Sequence, residues 1–183
     1  MLDPVTAPAL FDRQECARIV ATAASGDFRP GGLVGGRRSE NHRRADIHWL
    51  DETGEAGWVM NRLVEAAAEA NRTSFGFTLD GFDERMQVAS YDGGDGGHFD
   101  WHADIGDGPL AQRRKLTIVV QLTGDDDYEG GALELNPAGH VRAASRGQGD
   151  ATLFPSFILH RVTPVTQGCR HSLTVWVHGP AFR

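Results

Sequence analysis

Two hydrophobic periods divide the chain. Two segments before about residue 72 carry apolar residues every three to four positions, and beyond it they alternate every second position. From Phe11 to Ala24 the apolar positions Cys16, Ile19, Val20 and Ala23 fall on one helical face, with Asp12 placed to cap it. Gly54–Arg72 is the stronger helix, because Trp58, Val59, Leu63, Ala66, Ala67 and Ala70 form a stripe in a segment of high helix propensity. Between the two, the glycine-rich Ser25–Gly36 reads as a turn or mobile loop. Asn41–Leu50 reads as extended, with Ala45, Ile47 and Trp49 alternating with Asp46, His48 and Leu50, although Leu50 breaks the strict pattern. Residues 1–9 read as a loose or edge lead-in.

After the second helix Phe75, Phe77 and Leu79 alternate until Gly81 interrupts, and Met86, Val88 and Ser90 face opposite to Arg85, Gln87, Ala89 and Tyr91. Further short strands are predicted at 98–104, 114–122, 131–135, 151–154, 157–163 and 170–178. Turn-rich pieces separate them at Asp92–Gly97, Gly106–Pro109, Thr123–Gly130 and Pro137–Gly149. This pattern predicts a mostly-β sandwich or barrel-like jelly roll, with the early helices covering an outer sheet. No repeat or linker composition interrupts it. We therefore expect one domain over residues 1–183, with 1–80 as helical and strand support and 84–178 as the jelly-roll core.

Composition narrows the partners. The 183 residues are 40% hydrophobic and carry a formal net charge of -7, which speaks against nucleic acid. The basic cluster Arg37, Arg38, Arg43 and Arg44 reads as a solvated face, or as a rim that binds an acidic small molecule over the barrel mouth. Gly31-Gly32 and Gly35-Gly36 lack the Lys-Ser/Thr of a phosphate cradle. Cys16 and Cys169 give no disulfide framework, the start shows no secretory leader, and no segment is apolar enough to span a bilayer. The expectation is a cytoplasmic monomer or homodimer with no membrane partner.

The chemistry gathers in His98-Phe99-Asp100-Trp101-His102-Ala103-Asp104. In a regular strand His102 and Asp104 share a face, so one imidazole and one carboxylate can grip a metal ion together. The best later candidate for a third ligand is His160, within Phe157-Ile158-Leu159-His160-Arg161-Val162. Two histidines and a carboxylate form the set used for non-haem Fe(II) with open positions; zinc also accepts these ligands. Arg170 offers a fork for the carboxylate of a cosubstrate, or alternatively a sheet-edge salt bridge. Ser172 shares its face, and Tyr91 and Thr117 offer hydroxyl donors or ordinary structural hydrogen bonds. His98 is not counted as a ligand, Trp101 is expected in the core, and His140, His171 and His178 are weaker candidates.

These residues resemble the Fe(II)/2-oxoglutarate-dependent dioxygenases, in their prolyl-4-hydroxylase-like branch. The likeness runs over about residues 84–178: Tyr91-Asp92-Gly93-Gly94 leading into His102-Ala103-Asp104, then Arg114-Lys115-Leu116-Thr117, the Gly130-Gly131 turn with Leu133, and Leu159-His160-Arg161-Val162-Thr163-Pro164-Val165 with Gly168 and Arg170. The His160–Thr166 run is most similar to the bacterial PKHD-type hydroxylases, although the chain ends at Arg183 without their extra C-terminal portion. The resemblance implies a double-stranded β-helix, iron, and 2-oxoglutarate and O2 as cosubstrates. It implies His102, Asp104 and His160 as metal ligands, and Arg170, in an Arg-x-Ser triplet with Ser172, as the 2-oxoglutarate clamp. Asp104, where halogenases of this kind have Ala or Gly, implies hydroxylation of an unactivated C–H bond, with succinate and CO2 as coproducts. The short chain favours a free amino acid or related small metabolite as substrate. A prolyl or other residue of a peptide or protein is the alternative. The acidic turns Asp92–Asp95, Asp104–Asp107 and Asp125–Glu129 favour a cationic substrate or are simply exposed turns. A non-catalytic jelly-roll binding module, or a cupin-like metal enzyme without a 2-oxo acid, would show no cosubstrate-dependent O2 uptake.

Overall fold

Asp12 opens the first helix through a reciprocal cap. Its carboxylate accepts from Glu15 N–H at 2.8 Å, while the Glu15 carboxylate accepts from Asp12 N–H at 2.9 Å. Together these fix where α1 (Arg13–Ala24) begins, and Cys16, Ile19 and Ala23 form its buried face. The computed structural model describes residues 2–30 and 42–182. The second helix, α2 (Gly57–Ala70), follows a 3-10 turn at Gly54–Ala56 and buries Val59, Met60, Leu63, Ala67 and Ala70. It runs on into a π turn, Asn71–Phe75, and stops at Gly76, whose φ of +67° suits glycine.

The chain forms thirteen strands among the described residues: β1 (Val5–Ala7), β2 (Asp27–Pro30), β3 (Arg43–Arg44), β4 (Asp46–Leu50), β5 (Met86–Asp92), β6 (His98–His102), β7 (Arg114–Gln121), β8 (Tyr128–Gly130), β9 (Leu133–Asn136), β10 (Arg142–Ala143), β11 (Ala151–Pro155), β12 (Leu159–Val162) and β13 (Val165–His178). The larger sheet runs β1-β11-β7-β13-β5-β4-β2, with β8 also paired to β13, and the smaller runs β10-β9-β12-β6-β3. This is the double-stranded β-helix, with two helices packed outside the larger sheet.

Alternation assigns each residue of the larger sheet to one of two layers. Met86, Val88, Leu116, Ile118, Val120, Leu153, Leu173, Val175 and Val177 point outwards and pack with Ile19, Leu63, Ala67 and Phe75. Each such buried aliphatic side chain contributes about 1.5–3 kcal/mol. The opposite face carries Ile47, Ala89, Tyr91, Val119 and Phe154, which meet Leu133, Leu135, Ile158 and Val162 of or beside the smaller sheet. The candidate site lies between the sheets, so the helices serve it only by burying the back of its floor.

Three expectations are corrected. Phe75, Phe77 and Leu79 alternate without forming a strand. The Phe75 and Phe77 rings stack at 6.2 Å, and the Asn71 amide bonds both Phe77 N–H and C=O at 2.9 Å, closing the helix end instead. Part of Ser25–Gly36 is not loop, since β2 pairs antiparallel with β4; Gly31-Gly32, Gly35-Gly36, Arg37 and Arg38 lie outside the described residues. Of the two readings of residues 1–9, the edge one holds, since residues 5–7 form the edge strand of the larger sheet beside β11. Trp101 is not core: it is half-buried on the outer face of the smaller sheet, with the Arg161 guanidinium 4.8 Å over its ring. Among the described residues no helix is long and apolar enough to cross a membrane.

An ionic tie joins the segment before β5 to the ends of β7 and β13. Both oxygens of Glu84 accept from Arg114, and His178, fully buried, bridges Asp83 N–H at 3.2 Å and Glu84 at 3.0 Å. Burial would raise the Glu84 carboxyl, but His178 and Arg114 outweigh it and hold it at about 2. A depressed carboxyl stabilises the fold above its ordinary range, and that contribution disappears as pH falls from about 4.5 towards 2. With screening by the solvent that reaches its edge, the effect is about 2 kcal/mol. Glu84→Gln should therefore lower the melting temperature at pH 7, with the gap to the parent closing near pH 2.

Candidate metal and cosubstrate site

β6 and β12 are antiparallel neighbours, and their register sets His102 directly opposite His160. The rings lie 4.1 Å apart between centroids, tilted by 54°. Asp104 is not in the strand: β6 ends at His102, and the chain bends so that Asp104 N–H and Ile105 N–H both donate to Ser156 C=O, at 2.9 and 3.1 Å. That bend carries the carboxylate between the imidazoles, with Oδ1 3.7 Å from His102 Nε2 and Oδ2 3.5 Å from His160 Nε2. The ligand atoms of His102, Asp104 and His160 all lie within 4.8 Å of one another.

Backbone carbonyls select the tautomers. His102 Nδ1 faces Asp100 C=O at 2.7 Å and His160 Nδ1 faces Ile158 C=O at 2.9 Å. A carbonyl only accepts, so each Nδ1 carries the proton and each Nε2 turns a lone pair inward. Burial, then the neighbouring His160, pushes His102 down to about 3, so its imidazole is neutral at ordinary pH. Burial would raise Asp104, but the two imidazoles and the Thr117 hydroxyl hold it below the usual carboxylate range. With both rings neutral, three acceptors converge. Such a cluster is repulsive unless a cation sits inside, and nitrogen, nitrogen and oxygen donors on one side suit Fe(II) with its remaining positions open. The residues present fit the metal.

Each ligand is buttressed. Phe99 stacks on His102 at 3.5 Å, and the Phe154 ring meets His160 edge-on at 4.8 Å. Thr117, fully buried, donates to Asp104 Oδ2 at 2.7 Å. Its one proton is thereby committed to the carboxylate rather than to a cosubstrate. Thr117→Val keeps the shape and removes that hydrogen bond, so metal affinity should fall by roughly 10-fold, read by Mn(II) titration.

A cavity of about 680 Å³ opens over the triad, lined by Ile47, Tyr91, Val119, Leu133, Val162, Ser172 and Trp176 among others. Arg170 is 2% exposed and is the register partner of Tyr91. Its Nη1 donates to Ser172 Oγ at 3.4 Å, its Nε to Gln121 Oε1 at 3.1 Å, and its guanidinium lies 5.5 Å from the centre of the Tyr91 ring. Among the described residues no carboxylate pairs with it, and burial pulls its pKa below the usual arginine value. Gly131 permits this packing: a Cβ there would fall 3.0 Å from Arg170 Cδ and 2.8 Å from Val165 Cγ2.

Some site residues escaped the sequence reading. Gln121 shares the inward face of β7 with Thr117 and Val119, and Trp176 shares that of β13 with Arg170 and Ser172, so alternation marked both. Ser156 left no signal, since it acts through its backbone. His98 bonds the nearby Gly96 carbonyl at 2.9 Å, the His171 ring meets the Thr123 hydroxyl at 3.2 Å, and His140 is exposed. None of these joins the triad.

Comparison with known proteins places this geometry. The sequence model of the 2OG-Fe(II) oxygenase superfamily matches residues 86–178. A PKHD-type hydroxylase of Pseudomonas fluorescens is 34% identical over 184 residues, covering 92% of this chain and 75% of that protein. One from Colwellia psychrerythraea is 27% identical over 176 residues, covering 93% and 75%. Among solved structures, a Pseudomonas putida prolyl-4-hydroxylase superposes with a TM-score of 0.77 at 22% identity, covering 96% of this chain and 92% of that one. A prolyl hydroxylase from Trichoplax adhaerens, in complex with a hypoxia inducible factor peptide fragment, gives 0.80 at 20% identity, covering 97% and 84%. The chain belongs to the 2OG-Fe(II) oxygenase superfamily, in its PKHD-type, prolyl-hydroxylase-like branch, and carries the two-histidine, one-carboxylate triad of a hydroxylase.

Proposed function

We propose that the protein hydroxylates a residue of a peptide or protein, proline being the first to test, with 2-oxoglutarate and O2 as cosubstrates. The observation that carries the cosubstrate assignment is Arg170, a guanidinium 2% exposed with no carboxylate partner among the described residues. A buried cation left in this state is costly, and a dianionic ligand removes the cost. In this reading Arg170 takes the far carboxylate of 2-oxoglutarate, and the Tyr91 and Ser172 hydroxyls beside it fix the acid's position. Fe(II) at His102, Asp104 and His160 supplies the redox chemistry that no side chain here has, coupling oxidation of the 2-oxo acid to succinate and CO2 with hydroxylation of a C–H bond. His102 and His160 as neutral imidazoles with the Asp104 carboxylate would leave a bound divalent ion with net positive charge, suited to the anionic end of an oxo acid. The apolar walls Ile47, Val119, Leu133 and Val162 keep bulk water from the reacting atoms.

A cavity of about 680 Å³ exceeds what a five-carbon diacid fills and extends to the exposed Gly106 and Asp107, leaving room for a segment of chain. The similar structures named above are of prolyl hydroxylases, one of them holding a peptide. Both observations favour a peptidyl residue over the free amino acid that chain length suggested. Under air with Fe(II) and 2-oxoglutarate, a panel of proline-containing peptides should yield succinate together with a hydroxylated peptide. Hydroxylation of free L-proline but of no peptide would overturn the substrate assignment.

A further inference from the structure

Arg43 is a charged group at the cavity that neither the metal nor 2-oxoglutarate employs. It is 9% exposed and lines the cavity. Its guanidinium lies 4.5 Å over the Phe99 ring, and that same ring stacks on His102 at 3.5 Å. The cation is thus separated from a metal-ligand candidate by one aromatic ring. Nη2 donates to the neutral Gln87 Oε1 at 2.6 Å, while Nε is buried without a hydrogen-bond partner. No carboxylate pairs with it among the described residues. The other arginine lining the cavity, Arg114, differs on this point, because both oxygens of Glu84 neutralise it. A buried guanidinium held by a neutral amide keeps its full charge and an idle donor, a state that an incoming anion relieves.

We propose that Arg43 is a specificity-determining residue that receives a carboxylate of the primary substrate next to the carbon that is hydroxylated. The proposal rests on the reading of this cavity as a hydroxylase site and adds the chemical class of what enters it. The planar fork of arginine matches a carboxylate bidentately, and Phe99 fixes the plane in which that fork is offered. Of the acidic turns, which suggest a cationic substrate, Asp92 and Asp95 are exposed and do not line the cavity, while Asp107 lies exposed at its mouth. A carboxylate of this kind has two sources: an acidic side chain flanking the target residue of a peptide, or the α-carboxylate of a terminal or free amino acid.

The test measures binding, by anaerobic calorimetry, to the whole chain loaded with Fe(II) and saturated with 2-oxoglutarate. Ligands come in pairs that differ only in charge: acetyl-Glu-Pro-Gly-amide against its Gln twin, acetyl-Gly-Pro-Glu-amide against its Gln twin, and L-proline against L-prolinamide. At least one carboxylate member should bind about 30-fold more tightly than its twin, the size of a charge-assisted pair of hydrogen bonds. Arg43→Gln should bring that ratio near one by weakening the carboxylate member alone, and Arg43→Lys should retain part of it. A merely structural role would weaken both twins together. Preference within the Glu/Gln pairs identifies an acidic side chain, and preference within the proline pair an α-carboxylate. Equal binding within every pair, a preference that survives Arg43→Gln, or no binding by any carboxylate member would overturn the proposal. Peptide hydroxylation without charge preference sinks only the role of Arg43. Charge preference confined to L-proline, with no peptide hydroxylated, sinks only the peptide assignment.

Discussion

His160→Ala is expected to abolish succinate formation, by at least about 1,000-fold, well beyond the roughly 10- to 100-fold that follows loss of an outer hydrogen-bond partner. The reason is geometric. His160 is the register partner of His102 and the deepest of the three candidate ligands, at 5% exposed. Without it, His102 and Asp104 hold an ion from one strand end only, and a pair of ligands does not fix which positions remain open. The measurement is 2-oxoglutarate turnover under air with Fe(II), beside calorimetric Fe(II) binding under anaerobic conditions. Turnover and metal binding should fall together, while the melting temperature of the metal-free variant shows whether the fold survives the truncation.

Arg170→Met should separate activity from stability. Loss of the guanidinium removes a bidentate, charge-assisted contact, so the KM for 2-oxoglutarate should rise about 100-fold. Stability of the metal-free, cosubstrate-free protein should move the other way or not at all, because exchanging a buried, uncompensated cation for an apolar side chain of similar reach is neutral or stabilising. Kinetics at varied 2-oxoglutarate and denaturant melts of the same samples read both effects. A large destabilisation with an unchanged KM would make Arg170 a structural residue. The parent should also gain stability from 2-oxoglutarate in the presence of metal, through binding linkage, and the variant should gain little at the same concentration.

The periodicity of this sequence carried its layers well. Each long strand with one apolar and one mixed face, such as Met86–Asp92 or Val165–His178, showed in the residues themselves which side meets the helices and which meets the cavity. Strands of two or three residues, including Arg43–Arg44 and Tyr128–Gly130, are too short to show a period and exist only through their partners. Phe75–Leu79 misled because aromatic residues covering a helix end alternate as strand residues do. His102 and Asp104 stood out by spacing, yet the reason for their convergence differs from the one spacing suggested. A continuous strand would have aligned them, whereas the chain bends at Ala103 and Ser156 C=O captures two successive N–H groups. That capture is a backbone event across a large sequence separation, and no side-chain pattern encodes it. The same holds for Arg43. The sequence grouped it with three other arginines as a rim, but its burial beside Phe99 depends on the pairing of β3 with β6.

The most direct measurement is a crystal structure of the protein soaked anaerobically with Fe(II) and 2-oxoglutarate. A single ion bonded to His102 Nε2, the Asp104 carboxylate and His160 Nε2, with the oxo acid chelating it and its far carboxylate on Arg170, is the expected result. An ion bound elsewhere, or 2-oxoglutarate anchored on Arg43 or Arg114 with Arg170 still unpaired, would contradict it.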